Sequence, residues 1–485
     1  MRQQFNFADF RGGINVDVAP DHLADNELEI ADNVDLSERG GLKKRPGTEQ
    51  VNATCQAGTA TQLFEWPRNN GDVELIGVTG NQLQKINVGG SSDILYNVNS
   101  DKVAYFSLQD MLYTLDGSNF KQYDGSASGD VTAHAHEEND LEPIRRCKFA
   151  VRHPKSLRIF YAGDSQDRAA VYFSEPNQPN FVKATNRMYP TTGDGPVTAL
   201  ALFVDAVLVF FKNSIWVWRG LDPASDAIWH KLPTSEGTES PYTICLTTNS
   251  LTYLGRGGIY SLSPSIIGVS AEIQTGKEMV HNITDNRVAS IIRRIQQPDK
   301  AVAEFDAKNS KYMLSYSLTG STPDSMLVVD ETLGAFVRWT IPANDISFRA
   351  NNEVWLMSGD SIVKLTPGFY EDWIAGVYQP ISVHIRTPRH ALGAPLSNKL
   401  YTRVIASTAN EDAGEYTLKA IVDNEVVLSE TMPMISASDL VVKRRRLRVR
   451  GKRIALDVTN TDILPFTLYG LGLEAKLVRS YGGEL

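Results

Sequence analysis

The chain has almost no cysteine, no long apolar run and no recognisable catalytic signature, and each absence removes a class of protein. Three cysteines in 485 residues, Cys55, Cys147 and Cys245, stand far apart. That spacing fits neither a disulfide framework nor the close pairs of a zinc site, so free thiols are expected. No uninterrupted apolar stretch approaches the roughly 20 residues that span a bilayer. The start, MRQQFNFADF, lacks the apolar core of a secretory signal, so synthesis in the cytoplasm without export by that route is expected. There is no G-x-S-x-G elbow, no G-x-x-x-x-G-K-(S/T) phosphate loop and no H-E-x-x-H helix. No cofactor is implied.

What remains is the composition of a folded protein, 42% hydrophobic and 22% charged. The length exceeds what one core usually serves, so several domains or one large repeat body are expected. A formal net charge of −9 gives no general argument for nucleic-acid binding.

From about residue 60 to 370 short β-type runs are divided by turn residues, with little helical spacing. TQLFEW (61–66), VELIGV (73–78) and QLQKINV (82–88) form one group, and the same plan returns over 103–123 with Asp116-Gly117 and Asp124-Gly125 as turns. Further copies are AVYFS (170–174), SIWVW (214–218), GIYSL (258–262), KYMLS (311–315) and EVWLM (353–357). A recurrence of about 40 to 60 residues is the size of a four-stranded propeller blade. An isolated blade exposes two apolar faces, so the unit has to repeat around a ring. From about 375 the strands are longer and alternate more clearly. The expected fold is therefore all-β: a β-propeller-like body of six to eight blades over 51–372, an extended N-terminal arm over 1–50, and a C-terminal β-sandwich-like domain over 373–485, separate or docked on the last blade.

The arm is the most informative segment. It opens with Gly12 and Gly13, passes through an acidic half with Asp17, Asp21, Asp25, Glu27, Glu29, Asp32 and Asp35, and closes on Gly40, Gly41, Lys43, Lys44, Arg45, Pro46 and Gly47. It lacks the Asp-x-Asp-x-Asp-Gly order of a calcium loop. Residues 24–34 are expected to form a short helix capped by Asp25.

Its GGIN opening and NVDLSERGGLKKRPG close resemble the N-terminal segment of a family of tailed-bacteriophage tail nozzle or hub proteins. AVYFSEPNQPNF (170–181), ALALFVDAVLVFFKNSIWVWRG (199–220) and DETLGAFVRWT (330–340) resemble that family's blade elements, and the strands after residue 451 resemble its closing segment. The resemblance implies a structural protein of the virion and not an enzyme: a homo-hexameric ring below portal and adaptor proteins, neighbouring tail fibres or spikes, with viral DNA passing non-specifically through its lumen.

A few other residues are of the types that carry chemistry. His134 and His136, with Glu137, Glu138 and Asp140, form the densest set of metal-ligand types, but an exposed loop is the expected state and no metal site is assigned. Asp205 and Asp330 are the carboxylates to consider for a polysaccharide-degrading propeller, with structural turns as the expected role. Trp218 and Trp355 are the aromatics to consider for a host-binding tail module. Lys443 to Arg453, KRRRLRVRGKR, holds eight cations in eleven residues. Its alternation suits a strand with one apolar face and one arginine face, and three readings stand: subunit contact, a solvated strand, or DNA. The subunit-contact reading pairs Lys443, Arg444, Arg445, Arg446, Arg448 and Arg450 with Asp25, Glu27, Asp32 and Asp35.

Overall fold

In a computed structural model the described residues are 2–51, 58–226, 228–264, 280–284, 286–320, 322–411 and 413–477. Cys55 and the SYGGEL tail lie outside them.

The body is a ring of seven antiparallel four-stranded units among the described residues, five of them separate sheets and the last two parts of larger sheets. Blades 1 to 5 occupy residues 60–97, 104–130, 149–188, 199–231 and 245–282, blade 6 residues 302–339, and blade 7 residues 345–366. First strands lie side by side around the axis, and the ring closes where Asp345–Phe348 of blade 7 meets Ala60–Pro67 of blade 1. Short apolar strands suit this arrangement because each blade is covered on both faces. Thus Ala206–Phe210 is buried at every position, and Ile159–Ala162 likewise.

Blade 7 has only three strands of its own. Its fourth is Gly47–Gln50, antiparallel to Ser361–Thr366. The N-terminal segment thus completes the ring, removing a free sheet edge and tying distant parts of the chain together.

The C-terminal domain is a sandwich of two sheets. One runs in the order Leu440–Gly451, Lys399–Ala409, Thr467–Leu477, Leu42–Lys44 and Val34–Leu36, with Arg2–Phe7 also paired to Thr467–Leu477. In the other, Ile30–Asp32, Val383–Arg386, Ile454–Asn460, Glu415–Val422 and Glu425–Pro433 follow one another. Tyr401, Tyr416, Leu418, Leu456, Phe466 and Leu473 fill the core between them.

Residues 2–50 are laid across this body, contributing strands to the propeller and to both sandwich sheets. The expected helix over 24–34 is instead two short strands, Glu27–Leu28 and Ile30–Asp32. The reason is tertiary: Ile30–Asp32 fills the gap between Ala335–Trp339 of blade 6 and Val383–Arg386, making one continuous sheet. Those pairings outweigh local helix propensity. The sandwich is therefore joined to blade 6, the penultimate blade.

Candidate functional site

Two places concentrate buried polar chemistry, and the first is the seam where the 12–47 segment joins propeller and sandwich. Gly13 lies parallel to Phe336 with φ of 66°, and a Cβ there would stand 2.4 Å from the Phe336 carbonyl oxygen. A Cβ on Gly47 would stand 2.1 Å from the Glu371 oxygen. Backbone meets backbone at both ends of the segment, so glycine is required there.

Between them Asn33, at φ of 58°, is 2% exposed. Its Nδ2 donates to Thr340 Oγ1 at 2.8 Å and to the Ser382 carbonyl at 2.7 Å. Its Oδ1 accepts from the Thr340 amide and from Arg45 Nε, both at 2.9 Å. Arg45 is fully buried and forks onto Asp372, with Nη1 to Oδ1 at 2.9 Å and Nη2 to Oδ2 at 2.5 Å. Trp339 donates Nε1 to the Val34 carbonyl at 3.0 Å and lies beneath the guanidinium. Lys44, 4% exposed, donates to Asn460 Oδ1 and the Asp462 carbonyl, and burial lowers it to about 8. Asn33 and Arg45 thus bond across substructures, an arrangement whose polar cost is offset by well-satisfied geometry.

The second place is the axial mouth of the propeller, a cavity of about 970 Å³ lined by the connections that lead into all seven blades. Lys102 reaches across it to Asp345 Oδ1 at 2.6 Å, to the Thr61 carbonyl at 2.8 Å and to the Asn344 carbonyl at 3.2 Å. Its ammonium also sits 5.1 Å from the Tyr242 ring centroid, and Lys300 pairs with Asp101 at 2.6 Å beside it. On the first strands of their blades, Glu304 of blade 6 lies within electrostatic reach of Asp345 of blade 7, and Tyr105 of blade 2 feels both. Burial pushes Glu304 up to about 7, with Asp345 adding to the shift; burial also raises Asp345 against the pull of Lys102. A carboxyl group that titrates near neutrality can donate or accept a proton, which marks it for attention.

The residues singled out from sequence fall elsewhere. Asp205 lies at a blade 4 turn, held below the usual carboxylate range by Lys155 at 2.5 Å and also paired with Arg219 at 3.1 Å. Asp330 caps the turn before Gly334, accepting from the Leu333 amide at 3.0 Å. Neither reaches the axis. Trp218 and Trp355, considered as exposed contacts, are buried at 0% and 4%; alternate aromatic positions in a blade pack against the next blade. His134 and His136 both lie against Phe181 in an exposed loop. Among the described residues no group of three His, Cys, Asp or Glu is placed to hold a metal ion. Cys147 and Cys245 are free thiols.

The acidic half of the segment is satisfied mainly within the chain, and mostly not by the arginine strand. Asp32 forks onto Arg338 at 2.8 and 2.6 Å, and Asp35 pairs with Lys311 at 2.7 Å. Glu27 accepts from Asn15 Nδ2 and the Ala24 amide, both at 2.9 Å. Asp25 is 91% exposed in its side chain and 3.6 Å from His390 Nδ1. One contact does join the two regions, Arg453 to Asp21. Lys443, Arg444, Arg445, Arg446, Arg448 and Arg450 lie along the Leu440–Gly451 strand, where Arg445 pairs with Glu430. Glu304, Asp345 and Lys102 were not singled out from sequence, because nothing local distinguishes an innermost strand.

No family model matches the chain, and no curated protein matches it. Among solved structures it is similar to the extracellular domain of a putative one-component system from B. thetaiotaomicron, at 9% identity over 89% of this chain and a TM-score of 0.43. The chain spans 62% of that domain's length. It is also similar to the Pan2 WD40 domain of Neurospora crassa, at 9% identity over 67% of this chain and 96% of that one, TM-score 0.41. A third is an exo-beta-1,3-galactanase from Phanerochaete chrysosporium, at 9% identity over 86% of this chain and 100% of that one, TM-score 0.31. None of these likenesses bears on what this chain does.

Proposed function

We propose that the chain is a structural subunit of a bacteriophage tail, a nozzle or hub component that assembles as a homo-hexameric ring below portal and adaptor proteins. The observation that carries this reading is the seam. The residues on which the phage-tail resemblance rests, Gly13, Asn33, Arg45 and Gly47, are those that lock the sandwich to the propeller. They act as architecture, which suits a part that must stay rigid under mechanical load.

In this reading DNA does not pass along the propeller axis, because Lys102, Asp345 and Tyr242 crowd its mouth. The route is the lumen enclosed by several subunits. Virions assembled without the chain are expected to lack a distal ring of the tail in electron micrographs and to fail in DNA delivery. Complete tails in such virions would refute the proposal.

One observation favours a second reading, a propeller enzyme acting on polysaccharide: burial pushes the carboxyl of Glu304, on the first strand of blade 6, up to about 7. Its test is release of reducing sugar from host capsule, lost in E304Q. A wild-type protein without such activity on host capsule removes this reading.

A further inference from the structure

The Leu440–Gly451 strand presents Arg444, Arg446, Arg448 and Arg450 on one exposed face, and none has a side-chain partner among the described residues. Most other arginines that bear on the fold are matched: Arg45 with Asp372, Arg338 with Asp32, Arg403 with Glu474. The strand also stands at the end of its sheet, paired only to Lys399–Ala409, so its outer edge is open among the described residues.

The row also crowds like charges together. Arg446 lies directly opposite Arg403 across the strand pair. Directly opposed like charges are destabilising, although Glu474 at 2.7 Å answers Arg403 on its other side. A row of four neighbouring cations with no acid of its own chain to answer it points to an anion from outside.

Two features decide what kind. Every exposed cation in the row is arginine, whose planar fork suits bidentate carboxylate contact. The row also continues into Val442 and Leu440, 41% and 46% exposed, and borders half-buried Ile405 and Leu400 on the next strand. Arginine mixed with aliphatic residues is the make-up of a protein interface, whereas a phosphate-binding face has no use for the aliphatic end.

We infer that this edge takes up an acidic, partly apolar polypeptide segment of a neighbouring protein, whose carboxylates meet the four arginines as it pairs along the open strand. Alternate residues of a strand repeat at about 6.6 to 7 Å, so carboxylates at every second position would match the row. The inference does not require the tail reading.

The test uses full-length protein and three fluorescent probes: a random copolymer of glutamate and tyrosine, poly-L-glutamate, and a duplex DNA oligomer. Anisotropy titrations at low and high salt are expected to rank the copolymer first. R444Q/R446Q/R448Q/R450Q should weaken copolymer binding about tenfold or more. Should that variant lose its circular-dichroism signature, R448Q and R450Q singly are each expected to weaken binding severalfold. Undiminished binding by the folded variants overturns the inference. So does a wild-type protein that binds no probe, or arginine-dependent DNA binding tighter than that of the copolymer. Ring formation is scored separately by solution mass, so failure here leaves the tail reading standing.

Discussion

Replacing Asp372 by alanine should be among the most destabilising single changes in the chain, because it strands a cation in the seam. Arg45 has 0% and Asp372 7% side-chain exposure, and their contact is a two-bond fork. Removing one member of a buried pair typically costs about 3 to 5 kcal/mol, most of it the desolvated charge left behind. Asn33 and the Pro46 carbonyl still accept from the guanidinium, which argues for the lower end, near 3 kcal/mol. The double variant R45M/D372L removes both charges and should recover much of that loss, since replacing a buried pair with apolar groups is often close to neutral. Urea unfolding followed by tryptophan fluorescence suits the question, because Trp339 and Trp373 border the pair. In a chain of this size the domains can unfold in separate steps, and the comparison uses the transition that carries the seam signal. A cost below about 1 kcal/mol for D372A, or a double variant worse than the single, would refute the reasoning.

Three further outcomes follow from the same geometry. Gly13→Ala should cost more than about 1 kcal/mol, since the new Cβ meets the Phe336 carbonyl at a positive φ, and its urea midpoint would fall accordingly. His390 is stacked on Phe7 at 4.0 Å and lowered by burial to about 4, against the weaker pull of Asp25. The folded state resists its protonation, so this contribution is whole above pH 6.5 and is lost as pH falls toward 4. That loss amounts to about 3 kcal/mol, and H390F should flatten the stability profile across that window. Glu304 behaves in the opposite sense: raised to about 7, it opposes folding increasingly as pH climbs from 4.5 to 7. E304Q should therefore be more stable than wild type at pH 8 and similar at pH 4.5 in thermal denaturation.

The propeller was legible because its blades are short aromatic strands punctuated by Asp-Gly and Asn-containing turns, a pattern local enough to survive in one dimension. The blade number was not, since blade 7 borrows Gly47–Gln50 from the other end of the chain. The seam was visible only as an odd text of glycines and cations. Its key partners, Arg45 and Asp372, lie 327 positions apart, and no local rule connects them. The helix expected over 24–34 failed for the same reason: Ile30–Asp32 answers to two strands remote in sequence. In the Leu440–Gly451 strand the expected alternation holds over 446–450, with Leu447 and Val449 inward and Arg446, Arg448 and Arg450 outward, while Lys443 and Arg445 share the inner face and Leu440 and Val442 the exposed one. Its assignment to the acidic half of the N-terminal segment met a competitor, because Asp32 and Asp35 already have cations beside them on blade 6.

The most direct measurement is the solution mass of the purified full-length protein, taken together with electron micrographs of the same sample. A closed ring of six subunits with a central lumen is the expected result. A protein that stays monomeric across salt and concentration, and forms no ring when mixed with portal and adaptor proteins, would contradict the account.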